Sequence, residues 1–350
     1  MKKNILLYLI LTLFINIFLS AGKIKAQNNK NATSYLMAIE KENIAITNDL
    51  WDYTTSVAHG KNAKKVESRR KDLINTLSKA INKIGSMDAF EGDNILRDSL
   101  VSFLNLCYNV LNQDYAKIVD MEEIAEQSYD EMEAYMMAQE KANDKLDAAN
   151  DMVTDIYKKF AENHKIHLLE KKDKITVNLL NAGKVFKYYN VVYLIFFKNF
   201  KQEAYLLDAF EKTDLNSVEQ NRSKLIQTSS EDLKKLDTIK SYKGDLSLKS
   251  ACIQLLKFYN TEASKKILVL TDFELKKENF EKIKTAIENK DESSRTQSDI
   301  DEYNKAATIF KKAIDDNNRT NKELNDLRNK YLSDWNYTVN AFMDKYIPKK

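Results

Sequence analysis

Two histidines near the middle of the chain come closest, by type and spacing, to a metal site. His164 and His167 lie three positions apart, with Glu162 and Glu170 beside them. Imidazoles and carboxylates are usual ligands of zinc, and di-metal helical bundles use a Glu-x-x-His motif on each of two helices. This sequence has no Glu-x-x-His. Surface histidines near a helix end are therefore favoured, and metal binding through His164 and His167 stays an alternative.

No other motif for chemistry stands out. The third histidine, His59, is distant in sequence, and the chain has no Gly-x-Ser-x-Gly, Walker loop, dinucleotide fingerprint or Cys-x-x-Cys. Carboxylates are abundant, but no pair is singled out. We therefore predict that the protein is not an enzyme, with no catalytic, cofactor-binding or metal-binding residues and no cofactor.

The chain has only two cysteines, Cys107 and Cys252, both in apolar helical stretches. Two cysteines cannot form the dense disulfide framework of a small secreted domain. We interpret them as buried small apolar side chains. A bridge between them stays open, because it requires only that their Cα atoms come within about 7 Å.

The second half of the sequence repeats the first at an offset of 152 positions. Val66–Ile124 aligns without a gap on Val218–Lys276, with 14 of 59 positions identical. A period of about 150 residues is the size of a domain and exceeds the repeat of a solenoid. We predict an elongated all-α protein of two tandem helical-bundle modules, residues 27–172 and 173–350, related by internal duplication.

The composition favours long helices, since the only proline is Pro348 and glycine is rare. No stretch alternates with period two, so we predict no sheet. We expect one long helix over Met137–Leu146, but a break at Asp291–Gln297 in the second copy. Whether a helix continues through Lys165–Gly183, where the copies join, is left open, because Gly183 weakens helix.

The apolar spacing and the turn signals together predict the individual helices. A Gly-Asp pair recurs before the third helix of each copy, where glycine relaxes the loop and aspartate is a good N-cap. The predicted helices are Ser34–Ala58, Ala63–Ile84, Asp93–Asn112, Asp114–His164, Ile175–Lys212, Leu215–Ile239, Asp245–Tyr259, Thr261–Asn289 and Ser298–Lys345.

The N-terminus has the pattern of a secretory signal peptide. Lys2 and Lys3 precede an apolar run, and the chain turns polar after Ala26. We predict removal of residues 1–26 and export to the periplasm, the outer surface or the medium; a retained N-terminal anchor is the alternative. The mature chain would keep 51 basic and 52 acidic residues, a balance that argues against a nucleic-acid partner.

Two stretches could take part in binding. Tyr188–Phe197 is the most apolar part of the mature chain, and we interpret it as buried core, although membrane insertion is an alternative. Asp120–Asp144 has nine acidic residues and one lysine, and several methionines lie in or near it. Such helices can form adaptable binding faces, but a solvated helix face is favoured here.

Three local strings stand out: Phe90-Glu91-Gly92-Asp93, Ser128–Tyr135 followed by Ala138-Gln139-Glu140, and Tyr188–Lys198. These strings resemble a family of uncharacterised surface proteins of Bacteroidetes and spirochaetes, named only after a leptospiral locus. The resemblance implies an envelope or surface location, and it implies no activity and no functional residues.

Taken together, these features predict an exported, non-enzymatic helical protein that binds or scaffolds a partner at the bacterial cell envelope or surface. The expected partner is a protein or another envelope component. The alternatives are a membrane-active helical protein and a metal-binding protein using His164 and His167.

Overall fold

The computed structural model describes residues 22–26, 30–59, 63–114, 125–169 and 173–349, and most of them are helical. This confirms the predicted all-α, helical-bundle class. Within these described ranges, two π-helical turns, Val110–Asp114 and Glu262–Lys266, and one 3₁₀ turn, Glu292–Ser294, interrupt or join the helices. The remaining elements are β1 (Gly22–Ala26), α1 (Lys30–His59), α2 (Ala63–Gly85), α3 (Ile95–Asn109), α4 (Tyr129–Asn163), β2 (Ile166–Leu169), α5 (Lys174–Glu211), α6 (Leu215–Thr238), α7 (Ser247–Thr261), α8 (Ile267–Glu288) and α9 (Gln297–Tyr346).

The chain divides into two compact units. Unit 1 comprises Met1–Leu194 and Asn340–Lys350, and unit 2 comprises Ile195–Val339. Helices α5 and α9 therefore contribute residues to both units. The modules predicted from the sequence repeat meet at 172/173, whereas the compact units meet at Leu194/Ile195 and at Val339/Asn340.

Heptad spacing builds the core of unit 1. In α1 the buried residues follow at alternating intervals of three and four, which gives a helix one continuous face toward its neighbours. That face in α1 consists of Leu36, Ile39, Asn43, Ile46, Leu50, Tyr53 and Val57. Helix α4 has a similar face, which includes the buried polar residues Gln139 and Asn150.

The offset of 152 recurs in the bounds of the elements. Helices α2 and α6 begin at Ala63 and Leu215, and α3 and α7 span Ile95–Asn109 and Ser247–Thr261. The π-helical turns Val110–Asp114 and Glu262–Lys266 follow at the same offset. These local matches support the predicted duplication.

The two Gly-Asp pairs form matching tight turns. Gly92 and Gly244 have φ of +88° and +83°, in the left-handed region that favours glycine. The carboxylate of Asp93 accepts a hydrogen bond of 2.8 Å from the amide of Ile95, the first residue of α3. Asp245 accepts an equivalent bond of 2.8 Å from the amide of Ser247. Both pairs have a structural role.

The predicted helix Asp114–His164 is not continuous, because turn residues Glu126 and Gln127 precede α4, which begins at Tyr129; positions 115–124 lie outside the described residues. Ser128 is its N-cap: the Ser128 hydroxyl accepts from the Glu131 amide at 3.2 Å and lies 3.0 Å from the Glu131 carboxylate. Ser and Glu three residues apart is the spacing of a capping box, a pattern that starts a helix. The long helix over Met137–Leu146 and the break at Asp291–Gln297 are confirmed.

The prediction of no sheet is also wrong. Strand β1 pairs antiparallel with β2, with Ala26 opposite Ile166 and Lys25 opposite His167. Four-residue β2 is too short for a period-two pattern to emerge from its sequence. No helix continues through Lys165–Gly183, because α4 ends at Asn163 and β2 follows. Gly183 itself lies within α5 and does not interrupt it. Residues 1–21 of the predicted signal peptide lie outside the described residues, and β1 is the last part of that segment.

Candidate functional site

The structure does not bring His164 and His167 together as metal ligands. The His164 ring packs on Phe160 and Phe90, with centroid distances of 4.4 and 4.8 Å, and its Nδ1 lies 3.9 Å from a carboxylate oxygen of Glu91. His167 lies exposed on β2. In the described parts of the chain, no group of three His, Cys, Asp or Glu residues is placed to hold a metal ion. Glu170 lies outside those parts.

His59 and the two cysteines make contacts that stabilise the fold. His59 Nδ1 lies 2.8 Å from Asp344 Oδ1, and its Nε2 lies 2.8 Å from the carbonyl oxygen of Ile347. Cys107 and Cys252 are buried free thiols, so the bridge left open by the sequence is not formed. Burial raises the pKa of both thiols, which makes them poor nucleophiles.

The apolar stretch Tyr188–Phe197 is largely buried, as the sequence predicts. Tyr189, Val192 and Tyr193 are buried in unit 1, and Phe196 and Phe197 are buried in unit 2. None of the helices in the described ranges has an apolar stretch of the length that a bilayer crossing requires.

A groove of about 310 Å³ lies between α4 and α5 within unit 1. Its lining residues follow helical spacing on both helices, so each helix presents one face to the groove. Helix α4 contributes Glu133, Met136, Met137, Gln139, Glu140, Asn143, Asp144 and Asp147, and α5 contributes Gly183, Phe186, Lys187, Asn190, Val191 and Leu194.

Apolar and acidic groups share this lining. Met137 and Val191 are 54% and 43% exposed, so the groove offers apolar surface to solvent. Four carboxylates face it against a single lysine, Lys187. Burial raises the pKa of Asp147, and the charges of Asp151 and Asp144 raise it further, while Lys187 lowers it. The raised pKa thus reflects burial first and the neighbouring carboxylates second.

Two amide side chains of the groove have polar atoms without partners. Gln139 is 4% exposed, and its Nε2 is buried and makes no hydrogen bond among the described residues. Asn143 lies one turn further along α4, and its buried Oδ1 also makes none. Buried polar atoms in proteins usually have partners, so an exception requires an explanation.

Unit 2 contains a second polar cluster, which is buried. Arg328 of α9 donates to the carboxylate of Glu203 through Nε, and to that of Glu262 through Nη2 at 2.5 Å. The side chains of Glu203 and Glu262 are 2% and 0% exposed, and the neighbouring Tyr259 is fully buried. Glu203 lies on α5 and Glu262 begins a π-helical turn, so three separate elements form this cluster.

The two carboxyl groups of the cluster titrate abnormally. Burial, and then the charge of the neighbouring Glu203, raise the pKa of Glu262 to about 8, although Arg328 acts to lower it. Burial also raises the pKa of Glu203. A proton held on one carboxyl leaves the other to balance the guanidinium charge. Because both side chains are nearly inaccessible, we interpret the cluster as structural rather than catalytic.

Neither site was predicted from the sequence. The acidic and methionine-rich stretch drew attention to α4, but its solvated-face interpretation missed the groove with α5. Met136, Glu140, Asp144 and Asp147 at intervals of three and four were the available signal. The cluster of Glu203, Glu262 and Arg328 had no local signal, because its members are far apart in sequence.

Comparison with known proteins does not name a function. No protein-family model, no curated protein and no solved structure matches this chain.

Proposed function

We propose that this is an exported, non-enzymatic binding or scaffolding protein of the bacterial cell envelope, and that the groove between α4 and α5 is its binding site. The groove itself is the observation that carries the proposal. It combines exposed apolar side chains, which a partner can bury, with charged and amide side chains on two helices, which can fix the partner's orientation.

The chemistry of the lining favours binding over catalysis. The residues that line the groove are carboxylates, amides, one lysine and apolar side chains, without serine, cysteine or histidine. A nucleophile with an adjacent base, the arrangement that most covalent catalysis needs, is not among them. Side chains fixed on helices hold a partner at a defined place and orientation.

Two sequence features support the location. The segment Met1–Ala26 has the charged start, apolar centre and small residues of a signal peptide. The resemblance to envelope and surface proteins of Bacteroidetes and spirochaetes points to the same compartment. Near-neutral charge in the mature chain suits a protein or envelope partner better than a nucleic acid.

Photo-cross-linking in the bacterium that makes the protein tests the proposal. A photoreactive phenylalanine analogue replaces Met137 in the groove or, as a matched control, Met152. Both methionines are on α4 and are exposed, by 54% and 67%, but only Met137 lines the groove. We expect one discrete adduct in the envelope fraction from position 137 and none from 152. Equal or absent adducts at both positions would refute the groove as the binding site.

A further inference from the structure

We infer that the groove between α4 and α5 takes a basic amphipathic helix from a partner protein. This inference rests on the proposed function and names the partner's chemistry. Four observations carry it: the length of the groove, its exposed apolar residues, its uncompensated negative charge and its unpartnered amides.

The groove has the length of a short helix. On α4 its lining extends from Glu133 to Asp147, and on α5 from Gly183 to Leu194. At 1.5 Å per residue these stretches are about 21 and 16 Å long. A helix lying along them would contact the groove over about 11 to 14 residues, three to four turns.

The apolar lining suits the apolar face of such a helix. Met136 and Met137 of α4 face the same groove as Phe186, Val191 and Leu194 of α5. Methionine side chains adapt to varied shapes, and helix-binding grooves take apolar residues spaced three, four and seven positions apart. The 54% exposure of Met137 provides apolar surface for an occupant to bury.

The charge of the groove selects a basic occupant. Glu133, Glu140, Asp144 and Asp147 line it against Lys187 alone. No lysine or arginine in the described ranges lies within ion-pair distance of these four carboxylates. Lysine and arginine residues beside the apolar face of a partner helix would supply the missing positive charge.

The amides of Gln139 and Asn143 add an observation that is independent of charge. Gln139 lines the groove and is only 4% exposed, and its Nε2 has no hydrogen-bond partner among the described residues. An unmade hydrogen bond at a buried donor is unfavourable. Polar side chains of an occupant would give Gln139 an acceptor and Asn143 a donor. A small polycation would neutralise the carboxylates but would leave the apolar lining uncovered.

A designed peptide tests this inference on the mature chain, residues 27–350. The probe is a fluorescein-labelled 18-residue helix with leucines on one face and lysines on both flanks of that face. One control peptide has the same composition in shuffled order, so its leucines no longer share a face. A second control has glutamate in place of lysine. We expect fluorescence anisotropy to show saturable binding of the probe, with at least about tenfold weaker binding of each control.

Matched variants place the peptide in the groove. Asp144→Lys and Met137→Lys alter the lining, whereas Asp155→Lys and Met152→Lys make the same changes at exposed positions of α4 outside it. We expect about tenfold weaker binding for the first pair and less than about twofold change for the second. Circular dichroism and thermal unfolding show whether each variant remains folded.

Two results would overturn the inference: equal binding of the shuffled peptide, or unchanged binding by Asp144→Lys and Met137→Lys. The cross-link at Met137 separates this failure from that of the proposed function. If position 137 captures a discrete partner while the designed peptide does not bind, the binding function stands and the basic helix is wrong. If neither occurs, both fail.

Discussion

Val110 and Glu262 each begin a π-helical turn, and the two residues lie 152 positions apart. The first residue of the turn is thus apolar in one case and a buried carboxyl group in the other. At the same offset, Glu203 corresponds to Trp51 and Tyr259 to Cys107. None of Trp51, Cys107 and Val110 carries a carboxyl group, so the earlier π-helical turn forms without such a charge cluster.

Removing Arg328 alone should strongly destabilise unit 2. Arg328→Met leaves Glu203 and Glu262 buried without their cation, a defect that typically costs about 3–5 kcal/mol. The chain has two tryptophans, Trp51 in unit 1 and Trp335 in unit 2. In a Trp51→Phe background, urea unfolding followed by Trp335 fluorescence reports on unit 2. A change below about 1 kcal/mol would contradict the buried ion cluster.

Replacing the whole cluster with apolar residues should have a much smaller effect. Glu203→Leu, Glu262→Val and Arg328→Met together remove both the charges and the cost of burying them, which is often neutral or stabilising by about 1–4 kcal/mol. The same Trp335 measurement applies, with the single Arg328→Met variant as control. If the triple variant is no more stable than the single one, the packing of these side chains matters more than their charge.

The stability of unit 2 should fall as pH rises from about 4.5 to about 8. The pKa of Glu262 is about 8 in the folded chain and 4.5 in its ordinary state. Between these values the unfolded chain has lost a proton that the folded chain retains, so the free energy of unfolding decreases with pH, by up to about 1.4 kcal/mol per unit. The stabilisation is complete below pH 4.5 and lost above pH 8.

Glu262→Gln is the control for this pH dependence, because the amide cannot titrate. Urea unfolding of both proteins, measured at intervals between pH 5 and 8.5 in the Trp51→Phe background, should give a flatter profile for the variant. Parallel profiles would show that Glu262 titrates normally.

The sequence predicts the helices well and the sites poorly, for a physical reason. Helix periodicity and the lack of glycine and proline are local signals, and they located α2 and α7 within a few residues. Ser128 and Glu131 also form a local signal, a capping box, which the apolar spacing of the stretch obscured. By contrast, Gln139 joins α5 in the groove, and Arg328 meets Glu203 and Glu262, only through tertiary packing.

Arg70 should contribute more to stability than Arg222, which lies 152 positions later in a similar setting. Each arginine bonds to a glutamate three residues earlier, and each donates to a carbonyl of a π-helical turn: Arg70 to Leu111 at 2.5 Å and Arg222 to Ala263 at 3.3 Å. Hydrogen bonds to charged groups contribute about 1.5–3 kcal/mol, and long ones contribute less. Urea unfolding of Arg70→Met and Arg222→Met should show the larger loss for Arg70, and the reverse order would contradict this.

We predict that removal of the proposed signal peptide leaves Gln27 as the N-terminus of the mature protein. Small residues close to Ala26 and the abrupt change to polar residues place the cleavage there. N-terminal sequencing of the protein from the envelope fraction checks this directly. Processing at Ala26 also removes β1, so the amides of Ile166–Leu169 should exchange hydrogen faster in the mature protein than in the unprocessed chain. An N-terminus at Met1 would favour the retained anchor.

Alanine at the two turn glycines should destabilise the protein through the backbone alone. Gly92 and Gly244 have φ of +88° and +83°, and a Cβ atom added at either meets nothing within 4 Å. The loss therefore comes from left-handed backbone strain, about 1–2 kcal/mol for each site.

Gly85 is the matched control, because it ends α2 at an ordinary φ and its added Cβ would lie 3.7 Å from Val101. We expect Gly85→Ala to be neutral or stabilising by up to about 1 kcal/mol, since alanine reduces the entropy of the unfolded chain. Thermal unfolding of the three variants distinguishes these effects, and equal losses at all three sites would show that steric contacts, not φ, govern them.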